Sequence, residues 1–84
     1  MHRVLFIEDD DQIRLAIRMA LEDEGYDVEE AEDGRSGLAA FDLAEPDLVL
    51  LDLRLPDIQG FDVCRTMRAR IRAASSLVTT GLVT

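Results

Sequence analysis

Two apolar runs in this chain each end at carboxylates. Val4–Ile7 runs directly into Glu8 and Asp9, and Leu48–Leu51 runs directly into Asp52. A continuously apolar run of this length is typical of a strand buried on both faces of a parallel sheet, and such sheets bind ligands at the carboxyl ends of their strands. If the two strands are neighbours, the three carboxylates meet and repel one another unless protons or a cation neutralise them. Because hard oxygen ligands suit Mg2+, the spacing predicts a magnesium site.

The residues between these runs predict the elements that position the acids. A helix begins after Asp10 or Asp11, either of which is a plausible N-cap, and Gly25 is its expected stop. An acid-rich edge strand over residues 26–31 and a second helix, ended by Pro46, follow. The first helix carries one apolar stripe at helical spacing, formed by Ile13, Ala16, Ile17, Ala20 and Leu21.

The second half of the chain continues the alternation. Proline and glycine mark a loop over residues 55–60, and a third helix then carries apolar residues at helical spacing. A fourth strand over residues 77–80, broken by Gly81, is the expected continuation. Successive βα units predict right-handed crossovers and a parallel sheet with helices on both faces, the first strand lying between the second and the third. The inward positions of the third helix are Phe61, Cys64, Met67 or Arg68, and Ile71.

Length and composition limit the function. The 84 residues suffice for one domain, residues 1–84, and the net charge of −9 argues against direct binding to nucleic acid by this segment. The sequence offers neither a stretch long enough to span a membrane nor a signal-peptide pattern. Cys64 is the single cysteine, so an internal disulfide is impossible and a reducing cytoplasm is the simplest location.

The chain resembles the receiver domain of bacterial two-component response regulators, of the kind fused to a DNA-binding output domain. The matching pieces are the Glu8-Asp9 pair, the strand-terminal Asp52, and the loop from Asp52 to Gly60 with its proline and glycine. Asp33-Gly34 and Asp62-Val63-Cys64 also match, and the resemblance covers residues 3 to about 70. It implies an α/β, flavodoxin-like, doubly wound parallel sheet with strand order 2-1-3-4.

The resemblance implies a role for each matching residue. Asp52 would accept a phosphoryl group from a sensor histidine kinase. Asp9 would bind Mg2+ directly and Glu8 through water, while Asp52 and the backbone carbonyl of Arg54 would complete the ligands. Pro56 and Gly60 would shape the loop that leaves the Asp52 carboxylate exposed.

The C-terminal part departs from the family pattern. Thr79 or Thr80 would contact the phosphoryl group, and the spacing does not choose between them. The family's lysine, fifth strand and last helix have no counterpart, since all nine basic residues are arginines and residues 73–84 form an atypical tail. A truncated receiver or pseudo-receiver, serving only as an interaction or homodimerisation module, is therefore the alternative to a phosphoacceptor switch. Neither reading makes the chain a metabolic enzyme.

Two other acidic sites do not fit the spacing. A calcium EF-hand needs acids at alternating positions around a central glycine, which the segment from Glu8 to Gln12 lacks. A haloacid-dehalogenase-type phosphatase would carry a second acid two residues after the strand-end aspartate, and Arg54 stands there instead.

Overall fold

The computed structural model of the protein describes residues 2–52, 55–73 and 81–83, which form a parallel sheet with helices on both faces. The alternation of strands and helices predicted from the sequence is confirmed. The elements are β1 (Arg3–Ile7), α1 (Asp11–Asp23), β2 (Asp27–Ala31), α2 (Gly34–Ala44), β3 (Leu48–Leu51), α3 (Gly60–Ala73) and β4 (Gly81–Val83).

The strand order is β2-β1-β3-β4, which confirms the predicted order 2-1-3-4. All three strand pairings are parallel, and Ile7 lies opposite both Ala31 of β2 and Leu51 of β3. The crossover from β1 to β2 runs in one direction across the sheet, and those from β2 to β3 and from β3 to β4 run in the other. Because such crossovers are right-handed, α1 lies on one face and α2 and α3 on the other. The central position of β1 places its carboxyl end beside that of β3.

The main core lies between the sheet and the pair α2 and α3. Leu5 and Ile7 of β1 are fully buried there, and α3 contributes Val63 and Met67, which are also inaccessible to solvent. Gly37 of α2 permits a close helix–sheet approach, since a Cβ atom there would lie only 2.5 Å from Cδ1 of Ile7. The predicted burial of Cys64 is confirmed, as the thiol belongs to this core.

The other face of the sheet is less completely covered than the sequence predicted. Leu48 and Leu50 of β3 are only half-buried, and the apolar stripe of α1 is largely exposed, with Ile13 at 49% and Ile17 at 38%. The prediction of burial on both faces is therefore confirmed for β1, where Val4–Ile7 are all buried, and is met only in part by β3. The physical reason is that α1 packs mainly against β2 and β1, so that this face of β3 is covered only in part in the described residues.

Two predictions for the C-terminal half need correction. Phe61 points outward, 65% exposed, because α3 turns Val63 rather than Phe61 towards the core. Strand β4 begins at Gly81, where a break was predicted, and pairs Gly81 with Leu48 through backbone groups that need no side chain. The predicted strand over residues 77–80 lies outside the described residues.

Candidate metal centre

The sheet register brings the acidic residues to one place. The last paired residues of β1 and β3 are Ile7 and Leu51, so Glu8 and Asp52 leave the sheet side by side. Backbone hydrogen bonds continue one step beyond the strands: Glu8 N donates to the Ala31 carbonyl and Asp52 N donates to the Ile7 carbonyl, both at 3.0 Å. The backbones that carry these two acids are therefore held by the sheet itself.

Three carboxylates cluster at this edge. One oxygen each from Glu8, Asp9 and Asp52 lies within 4.8 Å of the others. Glu8 is buried with 7% exposure, Asp52 is half-buried, and Asp9 is exposed. Oxygens bound to one Mg2+ at about 2.0–2.1 Å are separated by at most about 4.2 Å. The cluster thus fits one such ion, either after a small side-chain movement or with a water in place of one direct ligand.

Crowding of these acids changes the protonation of Glu8. Burial of its carboxyl, the hydrogen bond and negative charge of Asp52, and the smaller effects of Asp9 and Asp10 together raise the pKa of Glu8 to about 7. Near neutral pH a proton therefore neutralises part of the cluster in the absence of a cation. A divalent ion bound here would compete with that proton.

The neighbouring acids have structural tasks. Asp10 is the N-cap of α1, and its Oδ1 accepts hydrogen bonds from the backbone of Gln12 at 2.9 Å and Ile13 at 3.0 Å. This settles the choice of N-cap that the sequence left open. Asp11 pairs with the guanidinium of Arg14, so neither of these two acids belongs to the three-carboxylate cluster.

Arg14 is a residue whose role the sequence pattern did not indicate. Its Nη1 donates to the backbone carbonyl of Glu8 at 2.7 Å, and its side chain is only 16% exposed. The guanidinium therefore fastens the first turn of α1 to the segment that carries the acids. The sequence signal for this contact is the position of Arg14 one turn after Asp10, the N-cap of α1, from which a long side chain can reach back to the preceding segment.

The loop after β3 also contacts α2. The Asp57 carboxylate accepts hydrogen bonds from the backbone of Gly34 at 2.8 Å and of Arg35 at 3.0 Å. Gly60 is buried and begins α3, whereas Pro56 is exposed, and the loop-shaping roles given to these two residues stay predictions. Three further predicted site residues, Arg54, Thr79 and Thr80, lie outside the described residues.

A parallel sheet of order 2-1-3-4 with acids at the carboxyl ends of β1 and β3 defines a class of signalling module. The family model of the response regulator receiver domain matches residues 4–83, and the chain belongs to this family. Receiver domains are signalling modules that bind Mg2+ at an acidic pocket and interact with sensor histidine kinases. The resemblance found in the sequence is thereby confirmed.

The chain is similar to several transcriptional regulators. It is 49% identical over 65 residues to the transcriptional regulatory protein CseB of Streptomyces coelicolor, a match that covers 77% of this chain and 28% of CseB. It is 45% identical over 74 residues to the DNA-binding dual master transcriptional regulator RpaA of Synechocystis sp., covering 88% of this chain and 31% of RpaA. The chain thus spans about a third or less of the length of these relatives.

Solved receiver structures share the fold. The response regulator TrrA of Thermotoga maritima, in complex with Mg2+ and BeF, matches 100% of this chain and 86% of its own chain, with a TM-score of 0.84 and 29% identity. The BeF3-activated receiver domain of Klebsiella pneumoniae RstA matches 81% of this chain and 58% of its own, with a TM-score of 0.78 and 32% identity. No helix within the described residues has the length and apolarity required to cross a membrane.

Proposed function

We propose that this receiver domain accepts a phosphoryl group on Asp52 from a sensor histidine kinase, with Mg2+ held by Glu8, Asp9, Asp52 and the backbone carbonyl of Arg54. The observation that carries the proposal is the three-carboxylate cluster at the adjacent ends of β1 and β3. The predicted roles of Thr79 or Thr80 in contacting the phosphoryl group form part of the same proposal.

The chemistry explains why an acidic cluster serves a phosphoryl acceptor. A bond forms between a carboxylate oxygen of Asp52 and phosphorus while the bond from phosphorus to the kinase imidazole nitrogen breaks. The incoming group and the acceptor are both anionic, and a bound divalent ion offsets their repulsion and neutralises charge on the transferring oxygens. Asp52 is half-buried, so its carboxylate combines a fixed backbone with access for the donor.

The surroundings of Asp52 favour one acceptor among the three acids. Glu8 is buried and holds a proton near neutral pH, which makes it a poor nucleophile without a cation. Asp9 is exposed, at the start of the turn into α1. The backbone of Asp52 is fixed by the hydrogen bond from its N–H to the Ile7 carbonyl. Asp52 is less buried than Glu8 and less exposed than Asp9.

The proposed output of the whole protein is inferred by analogy with the relatives. CseB and RpaA are transcriptional regulators, and we infer that phosphorylation of this receiver regulates transcription through another part of the molecule or a partner. The net charge of −9 opposes direct contact between this segment and nucleic acid phosphates. A cytoplasmic location, where kinase and magnesium are both available, belongs to the same proposal.

The test is phosphorylation by acetyl phosphate, followed by intact-mass measurement with and without Mg2+. The wild-type protein is expected to gain one phosphoryl group in the presence of Mg2+, and Asp52→Asn is expected to gain none. Asp23→Asn, which makes the same chemical change at an exposed residue of α1, is the matched control and should behave as wild type. A wild-type protein that binds Mg2+ but gains no mass would refute phosphotransfer and leave the interaction module as the function.

A further inference from the structure

The loop that follows Asp52 is tied to a helix far from it in sequence. Both carboxylate oxygens of Asp57 accept hydrogen bonds from α2, Oδ1 from Gly34 N at 2.8 Å and Oδ2 from Arg35 N at 3.0 Å. The Arg35 side chain adds a longer ion pair, with its Nε 3.9 Å from Oδ2. The N-terminus of α2 is thus capped by a residue of the β3–α3 loop.

This contact supplements a cap that α2 already possesses. Asp33 is the N-cap of α2, and its side chain accepts a hydrogen bond from Ser36 N at 2.8 Å. Helix N-termini leave backbone N–H groups without partners within the helix, and Asp57 satisfies those of Gly34 and Arg35. The two aspartates place similar charge at the same helix end, but only Asp57 connects it to the loop.

The packing around Gly34 shows how closely the loop and α2 approach. A Cβ atom at Gly34 would lie 3.1 Å from Cβ of Ile58 and 3.3 Å from Oδ1 of Asp57. It would also lie 3.0 Å from Cγ2 of Val63 in α3. Ile58 is partly buried against the main core, so hydrophobic packing and the Asp57 hydrogen bonds hold the same segment.

We propose that Asp57 is a positioning residue for the acidic cluster: by clamping the β3–α3 loop to the N-terminus of α2, it sets the affinity of the site for Mg2+. The inference rests on the proposed function, because the loop that Asp57 holds begins at Asp52, a member of the three-carboxylate cluster. The loop is fixed at its start by the hydrogen bond from Asp52 N to the Ile7 carbonyl, 3.0 Å long, and at its far side by Asp57. A loop anchored at both ends loses less conformational entropy when its groups are ordered around an ion.

The charge state of Asp57 supports the clamp. Desolvation raises the pKa of Asp57, but hydrogen bonds from backbone N–H groups, led by those of Gly34 and Arg35, outweigh it and leave the pKa below its usual value. The carboxylate is therefore ionised at neutral pH, and charge-assisted hydrogen bonds of this kind are stronger than neutral ones.

The experiment compares Asp57→Ala with Asp33→Ala in Mg2+ titrations followed by NMR. Both variants remove one negative charge and a hydrogen-bond acceptor from the N-terminus of α2, and only the first releases the loop. Loss of a residue that holds a metal ligand in place weakens metal binding by about 10- to 100-fold. We expect Asp57→Ala to weaken Mg2+ binding about tenfold, the low end of that range, because Asp57 acts through the backbone. Asp33→Ala should keep nearly the wild-type affinity.

Stability measurements separate positioning from folding. Urea unfolding in EDTA should show a lower midpoint for both alanine variants, since each removes a cap, whereas the loss of Mg2+ affinity should belong to Asp57→Ala alone. If Asp57→Ala does not fold, Asp57→Asn and Asp33→Asn replace the pair. Asparagine keeps one acceptor oxygen, so Asp57→Asn should show a smaller loss of affinity than the tenfold expected for alanine, and Asp33→Asn none.

The outcomes distinguish the inference from the proposed function. Equal Mg2+ affinities for the two variants of a pair would overturn the clamp and leave the magnesium site standing. A wild-type protein that takes up no Mg2+ would overturn the proposed function, and the inference with it. A selective loss for the Asp57 variant supports both.

Discussion

Replacing Glu8 by glutamine is the most informative single change, because Glu8 is the buried member of the three-carboxylate cluster. In the wild-type protein without a cation, Glu8 must either bind a proton or carry a buried charge beside Asp52. Glutamine has nearly the same shape and carries no charge. We expect Glu8→Gln to raise the free energy of unfolding at pH 8 and to weaken Mg2+ binding.

The magnitude and its pH dependence follow from the pKa. Between the ordinary value of 4.5 and about 7, the folded protein holds a proton on Glu8 that the unfolded chain releases. The contribution of Glu8 to the free energy of unfolding is therefore fully present below pH 4.5 and is lost as the pH rises through about 7. With allowance for screening by water at the open side, the loss is on the order of 1–3 kcal/mol. Glu8→Gln avoids it, so the variant should gain that amount at pH 8 and nothing at pH 4.

The assay is thermal and urea unfolding from pH 4 to pH 8 in EDTA. A gain of 1 kcal/mol corresponds to a rise in Tm of about 4–8 °C for a domain of this size. Glu29→Gln removes the same charge from an exposed position of β2 and should stay within about 0.5 kcal/mol of wild type. Excess Mg2+ at about 100 times its Kd should stabilise the wild type by about 2.7 kcal/mol and Glu8→Gln by much less.

Two results would refute this reasoning. Lower stability of Glu8→Gln at pH 8 would mean that the Glu8 carboxylate is stabilised by its surroundings rather than repelled by Asp52. A gain of equal size at pH 4 and pH 8 would mean that the effect is one of packing and has no connection with ionisation.

The two remaining predictions concern the packing and the anchoring of the sheet. Gly37→Ala should lower the free energy of unfolding by about 1 kcal/mol in urea titrations, because overpacking against the buried, branched Ile7 outweighs the helix-forming gain of alanine. A variant more stable than wild type would show that the Ile7 side chain moves aside at little cost. Arg14→Met should lower the free energy of unfolding by about 1 kcal/mol through loss of the hydrogen bond to the Glu8 carbonyl. The control Arg65→Met, at an exposed surface pair, should leave that free energy almost unchanged. Equal losses of stability in the two variants would contradict the anchoring role of Arg14.

Much of the fold was predictable because its signals are local. The strand at 48–51, the N-cap role of the Asp10–Asp11 region and the stop near Gly25 depend on residues next to one another in the chain, and Gly25 indeed has the positive φ of 91° that ends α1. Right-handed crossovers then limit the order of the strands. The exposure of the α1 stripe was not predictable, because periodicity shows which residues share a helix face and not how much of that face a neighbour covers.

The sequence by itself determined that acids stand at the ends of β1 and β3, since an apolar run followed directly by a carboxylate suffices for that. The tertiary structure then showed that these two strands are neighbours, because the handedness of βα units limits the strand order without fixing it. Only the tertiary structure decided that Glu8 is the buried acid with the raised pKa, that Arg14 holds its carbonyl, and that Asp57 caps α2. Asp57 and Gly34 are separated by 23 positions. Contacts of that kind depend on how helices and strands pack together, and the residues next to Asp57 in the sequence do not indicate which distant backbone groups it will contact.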